Sequence, residues 1–192
     1  MSTLAIKAII ALGLPLAVLA AGSYIMSKAS GRDSVAKQVG SSAQKNHEPP
    51  KPLNQRWQGY DTGAVHDYWN ALGVEGRRTE QRFLELDLVF PFFYGAALVA
   101  GLMLAWATLG RPFQPAWLVT PVAIAVAADW TENLIQLDQL RAYMESGKDG
   151  LQSGWIQVSS HATTLKLLMA GGSLLLLLWL ASTIIVRVLK ST

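Results

Sequence analysis

Four apolar stretches constrain this chain more than any other feature. They cover residues 8–26, 86–109, 116–137 and 162–186, each close to or above the roughly 20 residues a helix needs to cross a bilayer. A chain built this way cannot hide its apolar surface in one water-soluble core. The composition agrees, with 51% of the 192 residues apolar and 15% charged, against about 25% charged in an ordinary soluble domain. A formal charge of +3 is too small and too dispersed for a nucleic-acid footprint. There are no cysteines, which excludes disulfides, thiolate metal sites and Cys-nucleophile chemistry.

These features predict an all-α fold, a four-helix transmembrane bundle with a short interfacial amphipathic helix before the second span. Residues 1–26 form an N-terminal span, with a signal segment as the alternative because Lys7 precedes an apolar run ending in small residues. Gly13, Ala17 and Ala21 offer that span a small-residue packing face. Residues 27–60 read as a polar tether ending in His47-Glu48-Pro49-Pro50-Lys51-Pro52. Residues 61–192 hold the interfacial helix and a three-span membrane core. The interfacial helix starts at Asp61 or Thr62, presents Ala64, Val65, Tyr68, Trp69 and Leu72 on one face at headgroup level, and stops at Gly73. A charged run through Arg77, Arg78, Glu80, Arg82 and Glu85 then leads directly into the second span. Trp69, Trp117 and Trp155 read as interfacial anchors, and Ala97, Gly101 and Ala105 as a ridge for helix packing.

Orientation follows from basic residues near the span ends. Lys28, Arg32, Lys37, Arg77, Arg78, Arg82, Arg141 and Lys148 outnumber Lys7, Arg111, Arg187 and Lys190 on the other side. The first loop is therefore expected in the cytoplasm and both termini outside.

The functional signal is polar residues stranded in apolar helices. Asp129, Glu132, Asn133 and Gln136 fall at offsets of 0, 3, 4 and 7 in the third span, on one helical face. Such a stripe must face protein or water, because a carboxylate in lipid costs several kcal/mol. Taking Leu137 as the boundary puts Glu132 roughly 8 Å and Asp129 roughly 12 Å inside the apolar zone. Asp87, Pro91 and Tyr94 form a matching face in the second span, and Ser159, Thr163, Lys166 and Ser173 in the fourth. Antiparallel neighbours bring these faces to one leaflet and put Lys166 level with Glu132 or Asp129. Three acids then meet one base. The excess charge can be relieved by a held proton, by an arginine such as Arg82, or by a bound cation.

A structural explanation competes, since buried carboxylate, Asn and Lys networks also hold membrane helices in register. His47, His66 and His161 lack the paired spacing of a zinc or haem site. No P-loop, GxGxxG, GxSxG or HExxH pattern occurs. No metal and no cofactor are expected.

The elements Leu86-Asp87-Leu88-Val89-Phe90-Pro91 with Tyr94, Asp129-Trp130-Thr131-Glu132-Asn133 and Thr163-Thr164-Leu165-Lys166 resemble an uncharacterised family of small bacterial integral membrane proteins. The resemblance covers roughly residues 60 to 170. It implies a four-span arrangement in the bacterial inner membrane and a shared polar set of Asp87, Tyr94, Asp129, Glu132, Asn133, Thr163 and Lys166, but no activity. Residues and resemblance together lead to the expectation of a small-ligand or lipid-headgroup site formed by those residues, with membrane lipids as partners and no nucleic acid. The alternatives are an accessory subunit of a membrane complex, whose polar network is only a clasp, and a proton or cation pathway. Whether the protein is an enzyme stays open at this point.

Overall fold

The computed structural model describes residues 3–32, 51–111 and 116–190. Within them the chain forms five α-helices: α1 (Thr3–Ser30), α2 (Thr62–Asp87), α3 (Phe90–Thr108), α4 (Thr120–Ser146) and α5 (Ser153–Lys190). Short 3-10 turns at Leu53–Gln55, Ala116–Leu118 and Gly147–Gly150 join them, and the described residues contain no strand. Helices α1, α3, α4 and α5 make the bundle, with α2 packed at one end. Most of the expected tether, residues 33–50, lies outside the described residues.

Three stretches, Thr3–Ser30, Thr62–Thr108 and Ser153–Lys190, are long and apolar enough to cross a membrane. Helix α4 is comparable in length at 27 residues, but its polar stripe dilutes its apolar content.

Asp61 starts α2 by accepting the Ala64 amide at 2.8 Å, which satisfies one of the free N–H groups of the first turn. Gly73 breaks the helix where expected, at φ +64° and ψ −172°, and a second helical stretch follows it directly as far as Asp87; glycine takes that φ without strain. A further break falls at Leu88 and Val89, because Pro91 sits in the first turn of α3, where its missing N–H costs nothing. Asp87 therefore ends one helix while Pro91 and Tyr94 begin the next, and the expected single face divides between two elements.

The apolar face of α2 turns into protein. Val65, Tyr68, Trp69 and Leu84 form a hydrophobic cluster with Leu53, Leu137, Leu140, Tyr143 and Ile156. Trp69 is 1% exposed, so it is a core residue and not an anchor, unlike Trp117 and Trp155, which are exposed. A second cluster at the opposite end joins Leu98, Leu102, Leu118, Val122, Leu177, Leu180 and Ile184. The polar stripes of α4 and α5 lie between the two clusters.

Helix α1 packs through Ala8, Ala11, Pro15 and Met26. Gly13, Ala17 and Ala21 are on its exposed side, which corrects the expected packing face: spacing by four identified a row of small residues but not the row in contact. Close approach occurs at two other glycines. A Cβ on Gly22 would run into the Phe90 ring, and one on Gly101 would come within 2.5 Å of the Ala11 main-chain oxygen. The Ala97, Gly101 and Ala105 ridge is buried.

Candidate functional site in the polar layer

All four polar residues of the α4 stripe are buried, and Glu132 and Asn133 are fully so. Members four residues apart stand one helical turn from each other, so they bond along the helix as well as across it. Gln136 Nε2 donates to Glu132 Oε1 at 2.9 Å, and Asn133 Nδ2 donates to Asp129 Oδ1 at 3.2 Å.

Lys166 arrives from α5 at the same level. Its Nζ lies 3.0 Å from Asp129 Oδ1 and 2.5 Å from Glu132 Oε2, bridging both carboxylates. Tyr94 from α3 donates to the other oxygen of Asp129, Oδ2, at 2.9 Å. Asp129 thus receives three donors from three helices. Because a buried pair loses hydration on both ions, this extra bonding is what makes the burial tolerable.

A second set of bonds centres on Tyr60, which sequence reasoning did not single out. Its hydroxyl accepts from Gln136 Nε2 at 2.9 Å and lies 2.7 Å from Ser159 Oγ and 3.3 Å from Thr163 Oγ1. Burial, reinforced by the nearby Glu132 charge, raises the Tyr60 phenol above its ordinary value. Thr163 also donates to the Ser159 main-chain oxygen at 3.0 Å. It supports Tyr60 and is not on the cavity wall.

Asp87, Tyr94, Asp129 and Lys166 line a cavity of about 550 Å³ between α1 and α5. Glu132, Asn133 and Thr163 stand behind this wall in the bonded network. Leu19, Met26, Phe83, Phe90, Leu167 and Ala170 supply apolar walls, while Ser23, Ser27, Asn54 and Gln55 add polar groups. Ser23 and Leu167 are exposed, whereas Asp87, Asp129 and Tyr94 are 4–5% exposed. The mouth therefore lies between α1 and α5, with the acids at the floor.

The arginine of this cavity is Arg32, from the end of α1, and not Arg82, which is exposed. Arg32 Nη2 donates to Glu80 Oε1 at 3.1 Å, to the Tyr68 hydroxyl at 3.3 Å and to Asn54 Oδ1 at 3.5 Å. The guanidinium carbon also stands 4.0 Å from the centre of the Phe83 ring. Burial disfavours the Arg32 charge, but the Glu80 carboxylate outweighs it and raises the group above its ordinary value. Glu80 is 2% exposed. A signal for it exists in the sequence: Gly76, Glu80, Phe83 and Asp87 share one helical face, and all four are buried. No comparable signal marks Arg32.

His66 Nδ1 lies 3.0 Å from the Tyr143 hydroxyl, and His161 is exposed; His47 lies outside the described residues. Among the described residues no group of three or more His, Asp or Glu side chains is placed to hold a metal ion. Compared with known protein families, curated proteins and solved structures, the chain matches none.

Proposed function

We propose that this protein is an integral protein of the bacterial cytoplasmic membrane that crosses it four times, with both termini outside, and binds the polar head of an amphiphile in the cavity between α1 and α5. The observation that carries the proposal is the cavity itself: apolar walls lead from an accessible mouth to a floor of Asp87, Asp129, Tyr94 and Lys166. A mixed lining of this kind suits a molecule with a polar end and a hydrocarbon body.

Depth supports the same reading. Helix α3 has 19 residues, about 28 Å at 1.5 Å per residue, close to the hydrocarbon thickness of about 30 Å. Tyr94 lies four residues beyond Phe90, so it and the Asp129 bonded to it sit about 6 Å inside the boundary. That is shallower than Leu137 as a boundary implies, because α4 runs on to Ser146. It is about one turn of helix below the level at which headgroups give way to acyl chains.

A purely structural clasp accounts for Lys166 with Asp129 and Glu132, but leaves the cavity and Asp87 without a role. A conducting path needs polar groups beyond Asp129. The described buried residues there, Val122, Ala125, Leu98, Leu102, Leu177 and Leu180, are apolar, and the hydroxyl of the buried Ser173 is taken up by the Met169 main-chain oxygen at 2.8 Å.

Native mass spectrometry of the full chain in mild detergent tests the proposal. The expected result is one amphiphile per chain, lost from Leu167→Trp, which narrows the mouth without touching the polar network. A wild-type protein that carries no amphiphile, even after lipid is added back, overturns it.

A further inference from the structure

Among the described residues, Asp87 is the acid of the polar layer that the network holds least. It is 5% exposed, lines the cavity and closes the C-terminal end of α2. Asn133 stands beside it, but its two amide hydrogens go to the Asp87 main-chain oxygen at 3.0 Å and to Asp129 Oδ1 at 3.2 Å. Lys166 is turned to Asp129 and Glu132, and Arg32 to Glu80. Among the described residues the Asp87 carboxylate therefore has no ion pair, and its side-chain hydrogen-bond contact, to the Asn133 amide, competes with that amide's other two bonds. A buried carboxylate in this position is costly unless something pairs with it. Its place at the end of α2 adds to the cost, because the carbonyl end of a helix carries partial negative charge and attracts cations.

Charge around the cavity points the same way. Among the described residues, Asp87, Asp129, Glu132 and Glu80 are met by Lys166 and Arg32, four acids against two bases. An anionic head would meet this excess unfavourably. A bare metal ion would find a single free carboxylate, too few anionic ligands for a hard cation.

Resting on the amphiphile reading above, we propose that the ligand's head carries a primary ammonium group and that Asp87 is its anchor. Primary ammonium is favoured over quaternary because the cavity that Asp87 lines also carries hydrogen-bond acceptors, the Ser23 hydroxyl and the Asn54 amide oxygen. A quaternary head, which donates none, needs open aromatic faces; the Phe83 face is covered by Arg32, and the Phe90 and Tyr94 rings of the same cavity pack on each other at 5.4 Å between centroids. A phosphoethanolamine head fits the whole floor. Its ammonium meets Asp87, and its phosphate reaches toward Arg32, whose bonds to Glu80, Tyr68 and Asn54 all come from Nη2.

The test is lipid competition. The full-length protein is reconstituted in nanodiscs with equal parts of phosphatidylethanolamine, phosphatidylcholine and phosphatidylglycerol of matched chains, then re-extracted, and the retained lipid is quantified. Choline carries the same charge but donates no hydrogen bond, so loss of the charge-assisted hydrogen bond to Asp87 predicts enrichment of the ethanolamine lipid by about tenfold over the choline lipid. Asp87→Asn should bring the ratio to near one with a lipid still bound, and Asp87→Glu should keep the preference. Equal retention of the two lipids by wild type, or preference for phosphatidylglycerol, overturns the role of Asp87 while leaving the site standing. Retention of no lipid overturns the amphiphile reading itself. The wild-type ratio decides the matter even if Asp87→Asn does not fold.

Discussion

Removing the Lys166 ammonium tests the logic of the polar layer, because its two partners are not equally dependent on it. Asp129 keeps two donors when Lys166 is gone, Tyr94 on Oδ2 and Asn133 on Oδ1. Glu132 keeps Gln136 on Oε1 and a weaker interaction with the Thr163 hydroxyl, whose proton goes to the Ser159 main-chain oxygen. Its Oε2 is buried with no hydrogen-bond partner apart from the ion-pair contact to Lys166. Lys166→Met therefore orphans Glu132 more than Asp129. Breaking a buried pair by removing one partner costs about 3 to 5 kcal/mol, mostly as the uncompensated charge left behind.

Two double-mutant cycles separate the partners. Lys166→Met with Glu132→Gln removes the orphan together with its cause and should recover most of the loss, a coupling of about 2 kcal/mol or more. Lys166→Met with Asp129→Asn still leaves Glu132 exposed to the low dielectric and should recover less, with coupling of about 1 kcal/mol or below. Reversible unfolding in mixed micelles, followed by tryptophan fluorescence, measures all of these. Equal couplings would refute the asymmetry read from the donor count. Couplings both below about 0.5 kcal/mol would refute the pair altogether and leave Lys166 reaching for headgroups.

Two further outcomes follow from other parts of the molecule. Tyr60 has its phenol raised by burial and by Glu132, so the folded state holds that proton where the unfolded chain has lost it; the resulting stability is complete below about pH 10, the unfolded value, and lost as pH rises above it. The alkaline fall in unfolding free energy should be shallower in Tyr60→Phe than in wild type, and identical limbs would reject the assignment. Gly101→Leu forces side-chain volume against the Ala11 main-chain oxygen and the Pro15 ring and should destabilise the α1–α3 contact by about 1 to 3 kcal/mol. Gly13→Ala, with open space around it, should be neutral or slightly stabilising in the same melt.

The α4 stripe was legible because two independent constraints coincide there. Helical periodicity puts Asp129, Glu132, Asn133 and Gln136 on one face, and the cost of a carboxylate in lipid turns that face inward. The level of Lys166 followed from antiparallel packing in the same way. Legibility failed where a contact depends on loops or on the angle between helices. Arg32 and Glu80 meet across 48 residues, and nothing in the local pattern near Arg32 indicates where α1 ends relative to α2. The inward turn of Tyr68 and Trp69 was hidden for a related reason: an amphipathic face looks the same whether its apolar side meets headgroups or another helix. The packing face of α1 was misjudged because small residues occur on both of its sides.

Asp87 shows how one such misjudgement bears on function. Read as part of a continuous span that starts at Leu86, it belongs to the stripe of Pro91 and Tyr94 and would share their helix. Pro91 instead separates the two elements, and Asp87 falls at the end of α2, on the buried face that also carries Glu80 and Phe83. There its main-chain oxygen is tied to Asn133 while its carboxylate is left to the cavity. The break that defeats the periodicity argument is thus what frees the carboxylate. A continuous helix through Asp87 would have required its carbonyl to accept from the amide four residues on, and residue 91, a proline, has none to give. Asn133 takes that place, which ties the polar layer of α4 to the helix end that presents Asp87.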